Sequence, residues 1–338
     1  MYLKIQLLIR EIGVPKDSTL QFELTKPYPL IIQISNPPTE YINQFPPDER
    51  AISFCDVTTT NEPEGKIVKF FEKLQNQFTN SGPEPIDLSQ IAVPIYCDEY
   101  VFGIQKDLMV TARNLIGLLR WTHNCLGPHN PFLHRVTLWS IDNIDWHPIP
   151  HPGKFSVFIK KYGRTLHIDQ KGKSVIIDYL DRGISEPIYH ELFREAWSLR
   201  DTDPKSSFVI GYESAEVGVK TIISKLIPPT EWLMNNIQYP PIDKILRDYL
   251  PSLPGIKKIN NESIIPASII KTVQKMMPIR NKQVHVGKEP PDSKEIESML
   301  KDVQDLLLLL DYYCGFDFAL SFVRPEKIQE LEQPRKKK

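Results

Sequence analysis

Apolar residues fall into two textures along the chain. Up to about Arg182 they come in short runs: Leu3–Ile9, Leu20–Leu24, Leu30–Ile34, Val136–Ile141, Phe155–Ile159 and Val175–Leu180. Each run is rich in β-branched or aromatic residues and bounded by Pro, Gly, Asn or Asp, which predicts a strand. Two segments break this pattern. Ile67, Phe70, Phe71 and Leu74 in Glu64–Gln77, and Leu108, Ala112, Ile116 and Leu119 in Asp107–His123, recur at helical spacing. Beyond Gly183 the chain reads as successive helices, Pro187–Leu199, Ser207–Leu226, Thr230–Asn236, Pro241–Leu250, Pro266–Val286 and Ser293–Tyr313, punctuated by proline and glycine. Asp292, with Glu295 three residues on, marks the start of the last one.

The predicted architecture is therefore α+β. A strand-rich mixed N-terminal domain, residues 1–183, precedes an all-α antiparallel helical bundle, residues 184–324, and a charged tail, residues 325–338. The tail ends in Pro334, Arg335, Lys336, Lys337 and Lys338 and reads as a frayed, solvated terminus. In the last helix Ile296, Met299, Val303, Leu307, Leu310 and Cys314 keep core spacing, but Leu306, Leu308 and Leu309 are apolar too. More than one face of that helix needs covering, by the N-terminal domain or by a second copy of the chain.

Composition narrows the classes. With 338 residues, 41% hydrophobic and 25% charged, the chain can bury a core and is neither disordered nor a coiled coil. Its longest apolar run, Leu306–Leu310, is far below the roughly 20 residues that span a bilayer. Met1–Gly13 lacks the basic start and apolar stretch of a secretory signal, so a cytoplasmic protein without membrane contact is expected. Cys55, Cys97, Cys125 and Cys314 are scattered and read as free thiols.

The cluster His123, Cys125, His129 and His134 holds metal-capable side chains, but Gly127, Pro128, Asn130 and Pro131 among them are turn chemistry. His147 and His151 make no better a pair. Phosphate loops of the GxGxxG or GxxxxGK[ST] type and a GxSxG nucleophile are absent from the sequence. No metal and no cofactor is expected.

A formal charge of -1 excludes a globally basic nucleic-acid binder, so any such chemistry must be local. One stretch supplies it. Between Ile256 and Lys288 stand Lys257, Lys258, Lys271, Lys275, Arg280, Lys282 and Lys288 against the single acid Glu262, a net +6 that would attract phosphates. Lys275 and Lys288 flank the sharpest motif, Pro278–Gly287, written PIRNKQVHVG, and Lys282 lies within it. Pro278 predicts a kink or restart of the helix, and Gly287 its C-terminal stop. Arg280 and His285 then share a final segment about 140° apart. Glu216 lies in the seam Val209, Tyr212, Glu216, Val219, Ile223, Leu226 and needs a counter-charge if buried. Arg280 is the expected partner, with another Lys or Arg, or a wet rim position, as alternatives.

Arg280, Asn281 and His285 form an R-N-x-x-x-H pattern near the end of a bundle helix, which resembles the HEPN superfamily of small helical domains. Arg194–Lys220 and Glu231–Pro251 also resemble bacterial proteins with this domain, so the likeness spans roughly residues 186–324. Active members are metal-independent ribonucleases. The resemblance implies cleavage of RNA by 2′-hydroxyl attack, leaving a cyclic phosphate. His285 would then act as acid or base, Arg280 would hold the phosphorane charge and Asn281 would orient them. It also implies a composite site across a two-fold axis, hence a homodimer, and a role in defence or stress, with an antitoxin or other protein as a further partner. A non-catalytic RNA- or nucleotide-binding module and a pure scaffold are the other readings.

Overall fold

The computed structural model describes the chain except residues 11, 15–17, 26–27, 38–51, 81–90, 151–169, 239, 254–255, 257–258, 260–263, 288 and 333–338. It has an α+β layout and divides into two compact units, Met1–Cys125 with Asn130–Ser185, and Leu126–His129 with Glu186–Lys338.

The first unit is built on an antiparallel six-stranded sheet of order β2-β3-β4-β1-β5-β6. Its strands are β1 (Tyr2–Arg10), β2 (Thr19–Leu24), β3 (Leu30–Ser35), β4 (Ile52–Thr60), β5 (Phe132–Ser140) and β6 (His147–Pro148). Register puts Ile5 and Ile32 opposite Val57, Leu7 and Ile34 opposite Cys55, and Phe22 opposite Ile32, so alternate residues make one continuous buried face. The other face carries Lys4, Gln6, Gln21, Gln33 and Asp56, with Gln33 Nε2 donating to Gln21 Oε1 at 2.8 Å. Helices α1 (Gly65–Asn80), α2 (Ile95–Thr122) and α3 (Gln170–Asp181) complete the unit. Phe71 of α1 packs on Trp139 of β5, α2 on β1 and β4, and α3 on β2.

Two sequence expectations change here. Val175–Leu180 is helical, within α3, because Ile176 is its one fully buried residue and Tyr179, three positions on, meets Trp121. Strand β4 is central although its inward residues Ser53, Cys55, Val57 and Thr59 include only two apolar ones. The expected strand Phe155–Ile159 lies outside the described residues.

The second unit packs α4 (Ile188–Leu199), α5 (Pro204–Leu226), α6 (Glu231–Asn236), α7 (Ala267–Val286), α8 (Ser293–Tyr313) and α9 (Pro325–Glu332) around one core. Gly211 of α5 touches Ala196 and Leu300, and Gly218 touches Tyr189 and Leu307. Ascending α5 therefore descends α4 and ascends α8. Thr272 bonds Asp302 and Lys275 bonds Glu295, which sets α7 antiparallel to α8. Both glycines are close-approach positions: a Cβ at Gly218 would lie 2.7 Å from Leu307 Cδ2, and one at Gly211 would overlap Leu300 outright.

The extra apolar faces of α8 are covered within the second unit itself. Leu306–Leu310 are all buried in the core that holds Tyr189 of α4 and, from the C-terminal segment, Ala319, Val323 and Leu331. That segment also overturns the expected frayed tail over Pro325–Glu332. Arg324 pairs with Asp302 and Asp305, and Lys327 pairs with Asp302 at 2.8 Å and donates to Ser268 Oγ at 2.9 Å. The charges read as solvated are spent on docking α9.

Candidate active site

Helix α7 turns Ile269, Ile270, Val273 and Met276 into the core and stops at Gly287, whose φ of 68° is left-handed and whose N–H reaches Gln283 O at 3.2 Å. It continues through Pro278 without the restart that was one of the two expectations. Pro278 leaves the Gln274 carbonyl without its usual donor, but both residues are exposed, so water can satisfy that oxygen.

The last two turns carry the motif. The Arg280 side chain is largely covered, 16% exposed, and turned toward α5. Its Nη2 donates to Glu213 Oε1 and its Nη1 to Asn281 Oδ1, each at a long 3.4 Å, while its buried Nε has no partner among the described residues. Tyr212 stands beside it. Burial pushes the Tyr212 phenol up to about 12, with Glu216 adding and Arg280 opposing. Three residues after Arg280, Gln283 is 1% exposed, and neither atom of its amide is bonded among the described residues. Asn281 and His285 are exposed, and His285 makes no hydrogen bond or ion pair among the described residues. Five positions of helix separate Arg280 from His285 by about 7.5 Å along the axis and 140° around it. Within one copy the guanidinium faces α5 and the imidazole faces solvent.

Glu216 does not pair with Arg280. Its Oε1 takes Lys220 Nζ at 2.9 Å on the same helix, and Glu213 fills the expected role. The buried stripe of α5 runs through Phe208, Gly211, Tyr212, Ala215, Gly218, Val219 and Ile222, which rotates Glu216 to its rim. Among the flanking lysines, Lys275 is held by Glu295, Lys282 is exposed, and Lys257, Lys258 and Lys288 lie outside the described residues. Tyr212, Glu213 and Gln283 are the residues sequence reasoning missed. Gln283 carried a signal, since Met276, Arg280, Gln283 and Gly287 follow one helical stripe.

Among the described residues no three His, Cys, Asp or Glu side chains group to hold a metal. His123 instead closes the end of α2, its Nδ1 lying 3.0 Å from Leu119 O. No helix of the described residues is long and apolar enough to cross a membrane. No protein-family model matches the chain, and no curated protein and no solved structure does either.

Proposed function

We propose that the chain is a cytoplasmic, metal-independent endoribonuclease, acting through Arg280, Asn281 and His285 as a homodimer. What supports this reading is the end of α7: a guanidinium with only long contacts and an Nε unbonded among the described residues, and five positions on an imidazole open to solvent. Each has bonding capacity that the fold does not use. Arg280 would hold the phosphorane charge, His285 would move the proton, and Asn281 would orient them. Because the two groups diverge within one copy, the second copy brings the other α7 end to the site. Val284 and Val286, 50% and 78% exposed beside the motif, are the apolar surface such pairing would cover. A place in defence or stress, with an antitoxin or another protein partner, follows from the HEPN resemblance alone.

That divergence also favours a second reading, an RNA-binding module that does not cut. Incubating labelled RNA in EDTA with wild type, Arg280→Ala and His285→Ala separates the two. The enzyme reading expects cleavage by wild type and loss of about a hundredfold or more in each variant. Salt-sensitive binding with no cleavage gives the module instead.

A further inference from the structure

Two arginines of the second unit are held in opposite ways. Arg194 of α4 gives its two Nη atoms to the two oxygens of Glu186, and the paired side chains are only 6% and 10% exposed. A guanidinium gripped by two parallel bonds away from water is a structural pair. Arg280 has no such clamp. Its Nη2 meets one oxygen of Glu213 at 3.4 Å, and that acid, its side chain 43% exposed, has no other partner among the described residues.

The neighbouring acids are committed elsewhere. Glu216 and Asp243 both act on the Tyr212 phenol, as Arg280 does, so they share this corner of the unit. Glu216 takes Lys220 at 2.9 Å, while Asp243 accepts from Gln274 Nε2 at 2.9 Å and has Arg247 3.9 Å away. Glu213 is the acid that sits on the guanidinium.

Its position matters for an anion. Nη2 belongs to both edges on which a guanidinium grips two oxygens of one group, the edge shared with Nη1 and the edge shared with Nε. A carboxylate on Nη2 therefore stands where a phosphate would bind. It stands there weakly, since a part-exposed ion pair is worth little, and the Nε beside it is unbonded among the described residues. A phosphodiester that brings two oxygens makes the stronger, paired contact. The displaced carboxylate needs no new partner, because water already reaches it.

We propose that Glu213 is an internal competitor of the RNA phosphate: with no strand bound it occupies Arg280, and a strand binds by expelling it. The inference rests on the ribonuclease reading and adds to it a built-in check on the affinity of the site. Glu213 takes no part in the chemistry.

The test uses the full chain and a fluorescent 2′-O-methyl oligonucleotide of about 12 residues, which lacks the attacking hydroxyl and stays intact. Binding is followed by anisotropy, and KM and kcat are measured in parallel on the unmodified RNA. Glu213→Gln keeps the size of the side chain and removes its charge. It should bind the strand about three- to fivefold tighter than wild type, the worth of the ion pair that no longer has to be broken, and lower KM by the same factor without lowering kcat. In an Arg280→Ala background the same change should gain nothing, because the competitor then has no site to block. The part-exposed acid makes one long contact, so Glu213→Gln should keep the wild-type melting curve.

Weaker binding or a lower kcat in the folded Glu213→Gln protein would make the acid a positioning residue for Arg280 and overturn the competition. An equal gain in the Arg280→Ala background would trace the effect to net charge and overturn it too. Unchanged affinity, while wild type still cuts RNA in a His285-dependent way, overturns the competition and leaves the enzyme standing. Neither binding nor cleavage by any of these proteins removes both.

Discussion

At the N-terminal end of α7, Ser268 donates to Glu330 and Thr272 to Asp302, while Arg324 and Lys327 of the following segment meet Asp302 and Asp305. About 18 to 25 Å along the same helix, Arg280 has two contacts at 3.4 Å, Gln283 buries an amide unbonded among the described residues and His285 points at water. The first end uses its polar groups to hold the fold, and the second keeps them unspent. Unsatisfied buried polar atoms cost stability, so their concentration on two consecutive turns marks where bonding capacity is kept for something other than folding.

The satisfied end gives the largest effect. Asp302→Ala removes the carboxylate shared by Arg324 and Lys327 and should cost about 3 kcal/mol in urea unfolding, since it leaves the covered Lys327 ammonium without its carboxylate and takes from Arg324 one of the carboxylates that dock it. A loss under 1 kcal/mol would mean that the cluster is a solvated surface network and would erase the contrast. Between the two ends, Gly211→Ala forces a methyl onto Leu300, itself fully buried, and should cost about 2 kcal/mol by overpacking α5 against α8.

The unspent end predicts the reverse sign. Gln283→Met keeps the side chain's length but removes an unpaired amide, so it should stabilise by about 1 kcal/mol. Destabilisation would show that the amide has partners and that both ends of the helix use their polar groups for folding.

The smallest effect is in pH. Burial alone would raise the Asp302 carboxyl, but hydrogen bonds from Lys327 and Thr272 and the nearby Arg324 bring it below the ordinary 3.8. A depressed carboxyl stabilises the fold above that value and loses its contribution as pH falls through its lower folded value. The stability gap between wild type and Asp302→Asn should therefore be flat near neutrality and close below about pH 4. Asp305 runs the other way, because its burial outweighs Arg324 and holds it above 3.8, so Asp305→Asn should not reproduce that closing gap.

How legible these features were depends on whether neighbours in sequence decide them. Helices α7 and α8 were readable to the residue at Val286, Ser293 and Tyr313, because Gly287 and the Asp292 side chain, which accepts from Glu295 N at 2.9 Å, are local stops and starts. Strand β4 was missed because Ser53 and Thr59 are buried only by pairing with β1 and β3, a long-range event. Val175–Leu180 misled for the mirror reason, since its β-branched run gives no sign of which residues pack on Trp121 and β2. The docked segment after Arg324 reads as charge in sequence, and only the placing of Asp302 and Asp305 makes it structure. In the proposed site, Arg280, Asn281 and His285 stand out by their grouping within six positions. Glu213 does not, because a small rotation of α5 decides whether it or Glu216 meets the guanidinium.

The claim that the end of α7 is a phosphodiester-cutting site is tested most directly by single-turnover cleavage of a defined single-stranded RNA in EDTA, with the product ends identified by mass. The account predicts 2′,3′-cyclic phosphate ends from wild type and a rate at least about a hundredfold lower for His285→Ala at equal RNA occupancy. Equal rates in the two proteins, or ends that keep a linear phosphate throughout the time course, would contradict it.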